Sequence, residues 1–346
     1  YRWHLLDPIL FEKDLKVTLQ QIGVSHGGLF ERQDDVATTA YWQKTWNLND
    51  GDVALVGANY KAEQYTPYEQ AMQSRNNYSV YASYEKQFDE KNTLALSARE
   101  SWTTGAPNDY NNTNFSGQVQ YTHKLAEDTN LYASIGQSYK MPDLHQIYKT
   151  KAGADLKAQT GMHYELGLKK DFDDFRKARI ALFSYKVKDN ITAQYDEKLG
   201  DFTYENEDLK NTGIEAEYSL SADKGFGYSL SASYSSPKTR NIKKGVVGDW
   251  ERDYAKLYLK AGLTYRMDKF SAALNAAYTG DRVLSDKDTT PSLITNFNAE
   301  YQMTKNGSVF LTVNNILDRE DISYRSSSAE YYYTPINFLI GVKYSF

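Results

Sequence analysis

The chain has 346 residues, 40% of them hydrophobic and 14% aromatic, with no cysteine and a formal net charge of -5. Low mean hydropathy leaves little for large soluble cores, and the lack of any run of about eighteen apolar residues excludes helical membrane spans. The missing thiols exclude disulfide frameworks, thiol nucleophiles and cysteine metal sites, and so small a net charge gives no sign of a nucleic-acid partner.

In chain order, alternation of apolar and polar residues predicts strands at about 1–10, 15–25, 35–47, 52–65, 77–88, 92–104, 113–125, 129–139, 160–171, 175–194, 211–222, 226–236, 253–267, 269–280, 292–304, 307–316 and 336–346. Ile214, Ala216, Tyr218 and Leu220 stand opposite Glu215 and Glu217. Ala255, Leu257, Leu259, Ala261, Leu263 and Tyr265 alternate with Lys256, Tyr258, Lys260, Gly262 and Thr264. The last strand puts Ile336, Phe338, Ile340, Val342, Tyr344 and Phe346 on one face. Side chains alternate across a strand, and a Lys or Arg facing lipid at mid-bilayer costs roughly 2–4 kcal/mol, so charges kept to one face predict hydrocarbon on the other.

The links between strands alternate in length. Short ones fall at Asn49-Asp50-Gly51, Asp89-Glu90-Lys91, Ala126-Glu127-Asp128, 171–174, Asp223-Lys224-Gly225, Met267-Asp268-Lys269 and Lys305-Asn306-Gly307. Long ones fall near 26–34, 66–76, 105–112, 140–159, 195–210, 237–252, 281–291 and 317–335. Short periplasmic turns and long extracellular loops are the pattern of an outer-membrane barrel. A soluble β-sandwich would need a second face that fills a dry core, whereas here that face carries Glu215, Glu217, Lys256, Lys260, Asn298, Glu300 and Gln302. Tyr265, Tyr301 and Tyr344 lie near strand ends on the apolar face, where an interfacial girdle places them. The expectation is an all-β, antiparallel transmembrane β-barrel spanning 1–346, with about 16 or 17 strands; since single-chain barrels usually have an even count, either one strand is misjudged or the barrel begins before Tyr1. Tyr1 follows no leader and no initiator Met, so a mature or truncated chain is expected.

Several segments carry a resemblance in order and spacing: Ser138-Tyr-Lys-Met-Pro-Asp-Leu-His-Gln-Ile-Tyr148, Tyr164-Glu-Leu-Gly-Leu-Lys169, Lys188-Asp-Asn-Ile191, Asn211-Thr-Gly-Ile-Glu-Ala-Glu217 and Val313-Asn-Asn-Ile-Leu-Asp318. Together with the aromatic terminus they resemble the C-terminal part of TonB-dependent outer-membrane receptors. The resemblance is clear from about Ser138 onward and thinner upstream. It departs from the family before Tyr164, where Gly153-Ala-Asp-Leu-Lys157 is followed by Ala158-Gln159. The resemblance implies the C-terminal part of a barrel of about 22 strands, with an N-terminal plug domain not present in these residues. It implies a non-enzymatic importer in the Gram-negative outer membrane that binds a metal chelate, most often a ferric siderophore or other iron complex, and draws energy from the inner-membrane TonB complex through that plug. Haem, cobalamin or an oligosaccharide are the alternative cargoes. Phe346 would be read by the barrel assembly machinery, outer-membrane lipid would surround the wall, and neither a resident cofactor nor a nucleic acid is implied.

Candidate ligand-binding residues lie in the long links. Lys238, Arg240, Lys243 and Lys244 could steer an anionic chelate, although solvated charge or contact with anionic outer-leaflet lipid is the plainer reading. His145, beside Tyr139 and Tyr148, and His26 in Ser25-His-Gly-Gly28 could ligate haem or a metal, which a lone loop histidine seldom does. Asp281, Asp286 and Asp288 lack the spacing of a calcium loop. No Gly-x-Ser-x-Gly elbow or His-Glu-x-x-His pair is present, so a barrel enzyme is disfavoured, and a passive porin is the nearer rival.

Overall fold

The computed structural model of the protein describes residues 22–25, 28–31, 36–48, 51–66, 71–107, 110, 112–150, 156–196, 198–243, 246–326 and 329–345. A hairpin of β1 (Ile22–Ser25) and β2 (Gly28–Glu31) forms its own two-stranded sheet. The wall begins with β3 (Val36–Asn47), β4 (Val53–Tyr65), β5 (Gln73–Gln87), β6 (Asn92–Thr104), β7 (Thr113–Ala126) and β8 (Thr129–Lys140). After the short helix α1 (Leu144–Tyr148) it continues through β9 (Gln159–Asp171), β10 (Arg176–Asp196), β11 (Asp201–Leu220) and β12 (Gly225–Ser235). The short strands β13 (Lys238–Lys243), β14 (Val246–Val247) and β15 (Glu251–Arg252) extend the rim. The wall resumes with β16 (Leu257–Met267) and β17 (Phe270–Gly280), carries a rim hairpin of β18 (Arg282–Leu284) and β19 (Lys287–Thr289), and passes to β20 (Ser292–Gln302) and β21 (Gly307–Asn314). A second rim hairpin, β22 (Ile322–Arg325) and β23 (Glu330–Tyr332), precedes β24 (Asn337–Tyr344).

The strand order returns from β24 to β3, making a closed sheet. Among the described residues fifteen strands build it, and the fourteen registers between chain-successive wall strands are all antiparallel. With an odd number, β3 and β24 run the same way, so an antiparallel ladder is not available between those two. Of the seventeen predicted strands, the one at 1–10 lies outside the described residues. The end of the one at 15–25 is β1, which pairs with β2 and not with the wall.

Because neighbours alternate in direction, all the short links fall at one end. Their chemistry is local. Asp89 Oδ1 accepts from the backbone N–H groups of Lys91 and Asn92, both at 2.8 Å, and Asp173 Oδ1 does the same for Phe175 at 3.0 Å and Arg176 at 2.7 Å. Short side-chain acceptors of this kind stabilise tight turns.

The other end rises above the wall. β9 accompanies β10 only as far as Lys188 opposite Thr160, and a bulge follows between Val187 and Asn190. Beyond it Asn190–Asp196 pair with Asp201–Glu207 in a ribbon standing about 20 Å tall, braced by the chain after α1 through Thr150 opposite Tyr204 and by β13 through Asn241 opposite Glu207. The predicted loops at 195–210 and 237–252 are therefore largely strand, and the predicted strand at 211–222 begins at Asp201. The β10 side of this ribbon falls in the predicted strand 175–194, whereas its β11 side, Asp201–Lys210, is mostly polar and has no apolar alternation to reveal it.

Register settles which face is which. Leu166, Leu182, Ile214, Tyr234 and Leu257 stand directly opposite one another along one row, and Ile180, Ala216, Ala232 and Leu259 along the next. These side chains are mostly exposed, Leu182 at 53% and Tyr234 at 56%, and form the outer belt. Nearer the short turns Phe226, Tyr265, Phe270 and Tyr301 make an aromatic girdle, with Phe226 and Tyr265 ring centroids 4.8 Å apart. The inner face has no dry core. Among the described residues the large side chains buried almost completely are Leu144, Leu156 and Pro142, and all three lie by α1 at the rim.

Candidate functional site

Several polar cavities lie inside the wall. One, of about 1000 Å³, runs across β5 to β12 and carries Glu165, Glu215 and Glu217 on its wall; Arg179, which lines an adjoining cavity of about 540 Å³, sits at the centre of a network with them. Its Nη2 donates to Glu165 Oε1 at 2.7 Å, its Nε to the Tyr132 hydroxyl at 3.1 Å and its Nη1 to Glu215 Oε2 at 3.3 Å, with Glu217 3.8 Å away. Tyr132 OH donates in turn to Glu165. The strand period explains the grouping: Arg179 alternates with the outward Ala178 and Ile180, and register brings Glu217 opposite it and Glu215 opposite Ala181. Tyr132 lies flat over Gly167, its cross-strand partner, where a methyl group would overlap the ring. Gly167 is thus required by close approach, and it fixes the hydroxyl that orients Arg179.

A further cavity, of about 630 Å³, lies higher, under the chain that leaves β8. Arg75 is 4% exposed, donates from Nη1 to the Pro142 carbonyl at 2.6 Å and pairs through Nε with Glu63 at 2.5 Å. Asn77 donates to the same carboxylate at 3.0 Å, and Lys61 pairs with its other oxygen. The loop is thereby tied to β4 and β5. Pro142 ends the strand and Asp143 caps α1, its carboxylate accepting from Gln146 N at 2.7 Å while Gln146 Oε1 accepts from Asp143 N at 3.0 Å. Lys61, Arg75, Arg99 and Lys140 line this cavity against Glu63 and Asp143, a formal balance of four cations to two anions.

Of the residues singled out from sequence, Tyr139 lines this upper cavity. His145 and Tyr148 on α1 pack around Tyr65, with ring centroids at 5.4 and 5.8 Å, and His145 also meets Tyr204 edge-on at 5.7 Å. They form a half-buried aromatic shelf, braced by Lys149 on Asp201 at 2.6 Å and by Tyr204 N on the Lys149 carbonyl at 3.0 Å. Arg240 is on β13 and turns elsewhere: it holds the buried Asp208 at 2.9 and 2.6 Å and stacks on Trp250 at 4.6 Å. Lys243 ends β13 with its side chain outside the described residues, as are His26, Lys244 and Phe346. Asp281 and Asp288 pair with Arg252 at 2.5 and 3.3 Å. Among the described residues no group of three or more His, Asp or Glu side chains is placed to hold a metal ion.

Sequence reasoning passed over Arg75, Arg179, Tyr65 and Tyr204. The expected long link at 66–76 covers Arg75, whereas β5 begins at Gln73. Arg179 carried a usable signal, being the one charge between Ala178 and Ile180 in an otherwise apolar run. The motif residues have structural tasks. Gly213 gives room to the Phe183 ring, Asp189 takes the left-handed conformation at the bulge, and Asn315 donates to the Arg319 and Thr334 carbonyls at 3.0 and 3.1 Å. Asp318 accepts from Ile336 N at 2.8 Å, closing the last long loop onto β24.

Comparison with known proteins agrees with this architecture. Residues 11–316 match the family described as TonB dependent receptor-like, beta-barrel. The vitamin B12 transporter BtuB of Vibrio vulnificus is 26% identical over 203 residues, 58% of this chain and 32% of that protein. The ferric-pyoverdine 358 receptor of Pseudomonas putida is 25% identical over 248 residues, 65% of this chain and 28% of that one. Among solved structures, the copper transporter OprC superposes with a TM-score of 0.72 at 19% identity, over 90% of this chain and 56% of its own. The FrpB iron transporter from Neisseria meningitidis does so with a TM-score of 0.72 at 16% identity, over 90% and 55%. The chain thus spans about a third of these curated relatives and about half of the solved chains. A polar-lined antiparallel barrel with an apolar belt, matched by the family's description over most of its length, belongs to the TonB-dependent receptor β-barrels of the Gram-negative outer membrane, a family of transporters and not of enzymes.

Proposed function

We propose that the chain is the barrel portion of an energised importer that takes up an anionic metal chelate, a ferric siderophore or a related iron complex. The observation that carries this reading is the upper cavity, where four cations face two anions beneath a capped helix and an aromatic shelf. Excess positive charge in a partly enclosed polar site attracts and holds an anion, and Tyr139 on the cavity wall, with the half-buried His145 and Tyr148, offers ring edges to the planar groups of a chelate. The names of relatives support the class and leave the cargo open, since they include ferric-pyoverdine receptors, a vitamin B12 transporter and a copper transporter. In this reading the inner-membrane TonB complex supplies energy through a plug domain, and Phe346 serves recognition by the barrel assembly machinery.

The deciding experiment is uptake of a panel of radiolabelled iron chelates, with cobalamin, haem and an oligosaccharide beside them, in cells with and without a proton-motive force. Energy-dependent accumulation of an anionic chelate that weakens in an Arg99→Glu/Lys140→Glu variant is the expected result. Uptake indifferent to those charges would remove the chelate assignment. Steady ionic conductance in planar bilayers without energy would support a passive porin.

A further inference from the structure

The outward face of β10 to β13 carries a row of lysines that the import reading does not use. Register places Lys186 directly opposite Lys210, and Lys210 directly opposite Lys238. Strands pack about 4.8 Å apart, so the three ammonium groups lie within reach of one ligand about 10 Å across. Like charges directly opposite one another destabilise a sheet, and among the described residues none of the three is in an ion pair. Lys210 instead lies 4.1 Å from the Trp250 ring, whose other contact is Arg240. Arg252, opposite Lys238, is already committed to Asp281 and Asp288.

What lies beneath this row identifies its partner. One step down, about 7 Å toward the short turns, is a row of hydroxyls, Ser184, Thr212 and Ser236, with Ser184 and Thr212 hydrogen-bonded at 2.8 Å. Two further steps reach the aliphatic rows of Leu182 and Ile214 and of Ile180 and Ala216. Hydrocarbon contacts, then hydroxyls, then cations follow each other on one face, at the end of the wall opposite the short periplasmic turns.

The geometry points to a docking site for a phosphorylated glycolipid of the outer leaflet. Its acyl chains lie on the aliphatic rows, its sugar on Ser184, Thr212 and Ser236, and its phosphates on Lys186, Lys210 and Lys238. Phosphate oxygens accept charge-assisted hydrogen bonds from ammonium groups and relieve the repulsion within the row. The site rests on the membrane orientation and is independent of the cargo.

The test uses the protein extracted from outer membranes in mild detergent, with a bis-phosphorylated acylated glycolipid as probe and native mass spectrometry as readout. The Lys186→Gln/Lys210→Gln/Lys238→Gln variant is expected to bind about a hundredfold more weakly, at roughly fivefold per lysine. The corresponding triple Lys→Arg variant is expected to bind like the unaltered protein. The dephosphorylated glycolipid should bind both proteins equally weakly. If the triple glutamine variant does not yield a heat-modifiable barrel, the Lys186→Gln/Lys238→Gln pair, which leaves the Trp250 stack intact, decides with roughly a twentyfold loss. Equal retention of the phosphorylated lipid by variant and unaltered protein would overturn the site. So would complete displacement by inorganic phosphate at equal concentration, which would show a free-anion site and no lipid site.

Discussion

On β9 to β11 the same strands treat positive charge in opposite ways on their two faces. In the lumen Arg179 is surrounded by Glu165, Glu215 and Glu217, each within 3.8 Å, so its charge is matched by the chain itself. Outside, Lys186 and Lys210 stand opposite each other with no carboxylate between them. The lumen is a wet interior whose contents the protein must organise, whereas the outer face borders a second phase that brings its own charges and its own hydrocarbon. Internal pairing is required only on the first face.

The largest effect that would sharpen this contrast is a charge placed in the belt. Leu182→Lys should cost roughly 2–4 kcal/mol in equilibrium folding into lipid vesicles, while Ser231→Lys on the lumen face of β12 should cost little. Equal penalties would mean that the two faces are not different solvents.

A smaller effect concerns the fit that holds the lumen network. Gly167→Ala forces the Tyr132 ring off its partner strand and should lower stability by about 1–3 kcal/mol, as overpacking does. Tyr132→Ala in the same background should recover part of it, measured in the same folding assay. Smaller still, Arg179→Met should cost about 1 kcal/mol, because the pairs are only partly shielded from water. A matching Glu165→Gln change should restore some of that loss in a double-mutant cycle.

The smallest effect separates the wall from its rim. Burial pushes the Asp189, Glu207 and Asp253 carboxyls up from their ordinary values. A folded-state value above the unfolded one gives stability that is fully present below the ordinary 3.8 and 4.5 and is lost as pH rises through the raised values. Asp201, held down by its hydrogen bond with Lys149, changes its contribution only below 3.8 and stays outside that window. Limited proteolysis of 189–210 and 249–254 should therefore be slower near the ordinary carboxyl values, at about pH 4, than at neutral pH, after correction for protease activity.

Much of this was legible in period-two alternation. The strands from 35 onward, the alternating link lengths and the apolar face of β24 all follow from the demand that every second residue meet hydrocarbon. The upper part of β11, β13 and the start of β5 lie in the predicted long links because strand segments above the hydrocarbon carry no such demand. Tyr139, His145 and Tyr148 stand out by their place at a long link, and the fold sets Tyr139 on the upper cavity and the other two against Tyr65. Arg75 was missed because it acts by tying Pro142 to β5, a contact spanning 67 residues of chain.

Chain chemistry alone determined that the protein has an apolar and a polar face, where its turns fall and which residues border lipid, because these depend on side chains at neighbouring positions. Only the folded sheet decided which charges share a site. Arg179 meets Glu165 and Glu215, and Lys186 faces Lys210 as Lys210 faces Lys238, through hydrogen-bond registers between neighbouring strands that neither strand fixes alone, and a one-residue slip would send either set to the opposite face.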